Sequence, residues 1–194
     1  MKNIRTVCVY CGSSSRVSDV YKDAAREVGH MIAREGWGLV YGGGRVGLMG
    51  ITADSALEKG APVIGIIPEH IQKREVQHVG LTELHVVDSM HIRKQMMVDR
   101  SDAFIVLAGG LGTLDELFEL LTWKQLGLHD KPIVILNVNG YWTQMLAAIG
   151  HIAHEGFMRP EDQNLFVAVE DVADVAQALK TAPQEKFDPE TKWI

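Results

Sequence analysis

Short apolar runs that are continuous rather than alternating constrain this chain more than any other feature. They fall at residues 6–10, 38–41, 62–67, 103–107 and 132–138. A strand with one wet face alternates apolar and polar residues, whereas a strand covered on both faces does not. Between the runs lie segments of helical length and period at 19–35, 47–59, 90–100, 112–126 and 142–155. Shorter strands at 84–87 and 165–169 and a helix at 172–179 complete the alternation. The pattern predicts an α/β fold: a Rossmann-like, doubly wound parallel sheet with helices on both faces. With no internal repeat, low-complexity tract or linker, 194 residues suit one domain over residues 1–182. The polar, proline-containing tail at 183–194 is expected to be loosely held.

Charge and cysteine content exclude several functions. The net charge of −6 argues against a general nucleic-acid binder, which would carry a basic excess. No apolar run approaches a membrane span, and residues 1–5 lead straight into a strand without a signal-peptide core, so a cytoplasmic protein is expected. Cys8 and Cys11 have CxxC spacing, but a second pair to complete a zinc site is missing. Cys8 also lies inside a strand rather than opening a helix, so both are read as small packing residues. The eight histidines are scattered without metal-ligand spacing, and no metal is expected.

Two glycine-rich turns connect a strand to a helix, and in parallel sheets ligands bind beyond such carboxyl ends. One is Gly42-Gly43-Gly44-Arg45-Val46-Gly47, in which Gly43 and Gly44 form a second candidate nucleotide loop. The other runs from Leu107 to Glu116 through Gly109, Gly110, Leu111, Gly112, Thr113, Leu114 and Asp115. Bare backbone N–H groups there, at the positive end of a helix dipole, are a ready phosphate site. With the apolar period starting at Leu114, Glu116 is expected in the first helical turn, facing whatever the phosphate carries. Neither turn is a Walker A loop, and the first lacks a placed ribose-binding carboxylate.

Other candidates are less explicit. Arg93 and Lys94 are adjacent on a helix, a pattern that often marks a solvated face. Their place at the carboxyl edge of the sheet suits them to phosphate or substrate oxygens. Glu75 lies among charges, and Thr122 is offset from Glu116 by about 120° on an ideal helix. Phe118, Trp123 and Leu126 are expected in the core.

These residues resemble the Lonely Guy (LOG) family, the cytokinin riboside 5′-monophosphate phosphoribohydrolases. The family pattern PGGxGTxxE is Ala108-Gly109-Gly110-Leu111-Gly112-Thr113-Leu114-Asp115-Glu116, with alanine in place of the family proline. Val7–Ser14, Tyr41–Gly44 with Gly47–Gly50, Met90–Lys94 and Glu119–Trp123 also agree, in order, between residues 4 and 159. The resemblance implies hydrolysis of the N-glycosidic bond of a nucleoside 5′-monophosphate, AMP or N6-prenylated AMP, to free base and ribose 5-phosphate, with no cofactor. It assigns catalysis to Glu116 and Arg93, and substrate contacts to Glu75, Lys94, Thr122 and the loop 109–116. It also implies a homodimer, for which Met90, Met96 and Met97 offer an apolar contact. Without catalysis the same fold would suit a nucleotide or cofactor carrier; Glu116 paired with Arg93 is what a carrier would not require. A DNA-handling relative is disfavoured by the acidic charge.

Overall fold

The structure, a computed structural model, describes residues 3–72 and 77–183. Seven strands form one sheet: β1 (Thr6–Tyr10), β2 (Gly38–Tyr41), β3 (Val63–Pro68), β4 (Glu83–Val87), β5 (Ala103–Val106), β6 (Ile133–Leu136) and β7 (Val167–Val169). Their order is β4-β3-β2-β1-β5-β6-β7, and every pairing is parallel. The doubly wound α/β fold expected from the apolar runs is the fold observed.

The helices are α1 (Asp19–Arg34), α2 (Gly47–Glu58), α3 (Glu69–Gln72), α4 (Met90–Asp99), α5 (Leu111–Gln125), α6 (Thr143–His154) and α7 (Val172–Thr181). Along β1, Val7 and Val9 join the cluster formed with α1, α2 and α7, while Cys8 and Tyr10 join the one formed with α4, α5 and α6. The same division holds along β5, where Ala103 and Ile105 oppose Phe104 and Val106. Both faces are therefore dry, and burial at roughly 25 cal/mol per Å² of apolar surface holds the layers together.

The chain winds outward from β1 through β2, β3 and β4, then returns to pair β5 on the other side of β1. The loops leaving β1 and β5 consequently diverge at their carboxyl ends, and a crevice opens between them. On one side of it, the Ser89 hydroxyl caps α4 by accepting the Ile92 N–H at 3.2 Å. On the other, the buried Lys124 ties α5 to the turn at Pro160–Leu165 by donating to the Leu165 carbonyl at 2.9 Å.

Some expectations are corrected. Helix α5 starts at Leu111, because Gly110, with extended backbone (φ −96°, ψ −155°), serves as its N-cap. Glu116 is thus in the second turn, not the first. Phe118 is 43 % exposed rather than in the core, while Trp123 and Leu126 are half-buried. Met97 is 1 % exposed and packs under the sheet, so it is unavailable to a partner. Residues 184–194 of the expected tail and Glu75 lie outside the described residues.

Candidate active site

The crevice holds a cavity of about 270 Å³. Its walls are the β1 loop (Cys11, Gly12, Ser13), Gly42 after β2, Met49 on α2, Arg93 and Met97 on α4, and Gly110, Leu111, Gly112, Thr113 and Glu116 on α5 and its cap. Three strand ends and three helices meet around it.

Arg93 does not mark a solvated face: it is 6 % exposed. Its Nη2 donates to the Gly42 carbonyl at 3.3 Å and lies 3.8 Å from Glu116 Oε1. The second distance is an electrostatic contact, too long for a hydrogen bond. A Cβ on residue 42 would come within 2.0 Å of that Nη2, so glycine is what admits the guanidinium. Glu116 is also largely buried, with its side chain 11 % exposed. A paired carboxylate and guanidinium that are both largely buried act on a ligand more strongly than they would in water.

The N-terminal end of α5 adjoins this pair. First-turn N–H groups of an α-helix have no partner within the helix, and Leu111, Gly112 and Thr113, in that first turn, line the cavity. Thr113 is 3 % exposed, and its side chain covers Gly109 so closely that a Cβ there would meet Thr113 Oγ1 at 2.1 Å. Glu116 stands five residues beyond Leu111, about 7.5 Å at 1.5 Å per residue. That offset suits a sugar held between an anchored phosphate and the carboxylate.

The remaining candidates lie apart from the cavity wall. Lys94 reaches across to α5, with Nζ 3.0 Å from both Asp115 and Glu119. Burial alone would lower the Lys94 pKa, but the hydrogen bonds to Glu119 and Asp115 outweigh it and hold the ammonium above its usual range. Asp115 therefore faces outward into this ion-pair group, and Leu114 packs against the α4–α5 side of the core. Gly43 and Gly44 are turned away: the Gly43 carbonyl accepts the His78 N–H at 3.2 Å, and Gly44 bridges to Gln77. Thr122 lines a separate apolar cavity with Phe118, Ile149, Ile152 and Phe157. Its hydroxyl donates to the Phe118 carbonyl at 2.7 Å.

Ser13 and Gly42 are cavity residues to which sequence reasoning gave no role. The available signal for Ser13 was the Gly-Ser-Ser-Ser turn at the carboxyl end of β1. Cys8 and Cys11 are both buried and unbridged. Burial first, and then the negative charge of Glu116, pushes both thiols well above their normal pKa. Neither is poised as a nucleophile or metal ligand. Among the described residues, no group of three or more His, Cys, Asp or Glu side chains is placed to hold a metal, and no helix is long and apolar enough to cross a membrane.

The fold and cavity define a Rossmann-like protein in which the N-terminal end of α5 adjoins a buried Arg–Glu pair. Residues 49–179 match the family model described as "Possible lysine decarboxylase". The cytokinin riboside 5′-monophosphate phosphoribohydrolase of Rhodococcoides fascians is 46% identical over 178 residues, 91% of this chain and 90% of that protein. The probable enzyme LOGL2 of Oryza sativa subsp. japonica is 43% identical over 191 residues, 97% of this chain and 78% of that protein. The chain belongs to the Lonely Guy family. Among solved structures, the Moco carrier protein of Chlamydomonas reinhardtii superposes with a TM-score of 0.69 over 93% of this chain and 98% of that one. At 22% identity this likeness speaks for the shared fold alone.

Proposed function

We propose that this protein hydrolyses the N-glycosidic bond of a purine nucleoside 5′-monophosphate, releasing the free base and ribose 5-phosphate. The observation that carries the reading is Arg93, buried 3.8 Å from Glu116 beside the open N-terminus of α5. The names of the relatives at 46% and 43% identity support the same chemistry. The lysine decarboxylase description fits less well, since none of the described cavity-lining residues is a lysine able to form a Schiff base.

In this reading the 5′-phosphate binds the N–H groups of residues 110–113 and the Thr113 hydroxyl. As the bond from C1′ to the base nitrogen breaks, its electron pair leaves with the base and positive charge develops on the sugar. Glu116 stabilises that charge and orients the water that adds to C1′. Arg93 holds the substrate and assists departure of the base by hydrogen bonding. Lys94, Thr122 and Glu75 are carried by the family resemblance as further substrate contacts, and the unit that binds nucleotide spans residues 1–182.

We place the enzyme in the cytoplasm as a homodimer. The contact we favour includes the exposed apolar side chains Phe118, Ile152 and Phe157, which are 43 %, 43 % and 87 % exposed. Such a patch is more apolar than a solvated surface requires. A dimer built there brings Thr122 to the interface. The functional test is incubation with AMP, N6-prenylated AMP and adenosine, with detection of free base and ribose 5-phosphate. A monophosphate should be cleaved while adenosine is barely touched, because loss of charge-assisted phosphate contacts is costly. Equal cleavage of AMP and adenosine would overturn the assignment.

A further inference from the structure

The glycine turn that ends β5 is thinly anchored for a binding element. Nothing lies within 4 Å of the place a Cβ would occupy on Gly110 or Gly112, and Leu111 is 85 % exposed. Beside the turn lies a second cavity of about 310 Å³, which shares Gly12, Ser13 and Gly110 with the first but is walled by Val17, Tyr21, Leu48 and Tyr141 in place of Arg93 and Glu116. The turn therefore borders a cavity at Ala108, Gly109 and Gly110. Its contacts include the Gly12 N–H, which donates to the Ala108 carbonyl at 3.0 Å, and the Thr113 side chain over Gly109. A further contact crosses the second cavity: the Tyr141 hydroxyl donates to the Gly109 carbonyl at 2.7 Å.

Tyr141 is well suited to hold that position. Its ring stands edge-on to Tyr21, with centroids 5.3 Å apart, and to Trp142 at 4.7 Å. Trp142 is 3 % exposed, and its backbone N–H donates to Asn137 Oδ1 at 2.7 Å. The Gly109 carbonyl and the Gly110 N–H belong to one planar peptide unit, which is trans here as throughout the described chain. In a trans unit the N–H points opposite to the C=O. A carbonyl held toward Tyr141 thus aims the Gly110 N–H, which belongs to a residue lining the first cavity, away from Tyr141.

We propose that Tyr141 is a positioning residue for the ligand's phosphate, acting through the Gly109–Gly110 peptide to keep the N–H groups of the turn aligned. The inference rests on the phosphate role proposed above for that turn. The variant Tyr141→Phe deletes the hydroxyl and keeps the ring contacts. Calorimetric titration with ribose 5-phosphate reads binding without turnover. Loss of one neutral hydrogen bond should raise its dissociation constant, and the KM for AMP, by about 3- to 10-fold. The expected kcat stays within about twofold, since the reacting centre is untouched. Tyr21→Phe, which keeps the edge-on ring, should leave all three quantities at wild-type values.

A Tyr141→Phe protein that binds ribose 5-phosphate like the wild type sinks this inference alone. So does a fall in kcat and melting temperature with unchanged affinity, because that pattern describes a merely structural tyrosine. A wild-type protein that fails to bind ribose 5-phosphate at all removes the functional reading, and the role of Tyr141 with it.

Discussion

Both glycine-rich turns leave a parallel strand at its carboxyl end and enter a helix, yet the two spend their glycines differently. After β2, the glycines are consumed by packing. Gly42 makes room for the Arg93 guanidinium, Gly43 adopts φ +76° against Ile67, and Gly44 bridges to Gln77. After β5, Gly110 and Gly112 have open space where a side chain would be, and their N–H groups end a helix beside the cavity. One cluster shapes the wall that seats the Arg93 guanidinium; the other leaves open space beside the cavity. The two clusters differ in pattern, GGGxxG at 42–47 against GGxG at 109–112, but what decides their roles is what a Cβ would strike.

The largest expected effect lies on the helix that the bare turn opens. Glu116→Gln keeps size and hydrogen bonding but removes the charge facing the developing sugar cation. Turnover should fall by roughly 10²-fold or more, about 3 kcal/mol, as for other preorganised electrostatic contacts. Affinity for AMP should change far less, because the bound sugar is still neutral. Asp115→Asn, whose carboxylate faces Lys94 instead, should retain most activity. Parallel kinetics and ligand titration decide the matter. A normal rate in Glu116→Gln, or a collapse in correctly folded Asp115→Asn, would mean that the wrong carboxylate has been chosen.

Next in size is Gly42→Ala, which asks whether the packed cluster serves the chemistry through Arg93. The new methyl would strike Nη2, the far end of a flexible side chain, so Arg93 moves and the fold remains. A shift of about 1 Å in a positioned group costs up to 10²-fold in rate. We expect kcat/KM to drop by about 10-fold or more with little change in melting temperature. A variant that loses stability and keeps its rate would show that Gly42 matters to packing only.

What was legible in the sequence follows from how local each feature is. The sheet could be read because both faces are dry, so the strands are apolar throughout. Helix α5 was placed late because its apolar period starts at Leu114, whereas its true start is set by the backbone of Gly110. The short α3 lies in a polar passage with no period to detect. That Glu116 would face the crevice was legible from its place after the glycine turn. Arg93 was ambiguous, because an adjacent Arg–Lys pair normally faces water and its burial depends on Gly42, 51 residues away. Met97 looked available to a partner because α4 has no clean apolar stripe, and only the packing against the sheet shows which methionine is covered. Tyr141 carried no signal: its contact with Gly109 spans 32 residues and arises from the neighbouring strand order.

The smallest effects sharpen the comparison most, because the two turns should respond to alanine in opposite ways. Gly43→Ala forces a side chain into the left-handed region and within 3.1 Å of Ile67 Cβ. The backbone penalty is about 1–2 kcal/mol, which for a chain of this size lowers the melting temperature by roughly 2–8 °C. Gly43 does not line the cavity, so KM and kcat should stay within about twofold, there being no lost contact to ligand. Gly112→Ala is the converse. Its position is helical and open, and alanine favours a helix by up to about 1 kcal/mol over glycine, so melting should hold or rise by a few degrees. The added methyl, however, enters the space beside the bare N–H groups and should raise the KM for AMP several-fold, on the order of the loss of one phosphate contact. Thermal melts and steady-state kinetics on the two variants give a crossed pattern: stability lost and affinity kept in one, affinity lost and stability kept in the other. If Gly112→Ala binds AMP as well as the wild type, the helix end is not where the phosphate sits, and the distinction between the two turns fails with it.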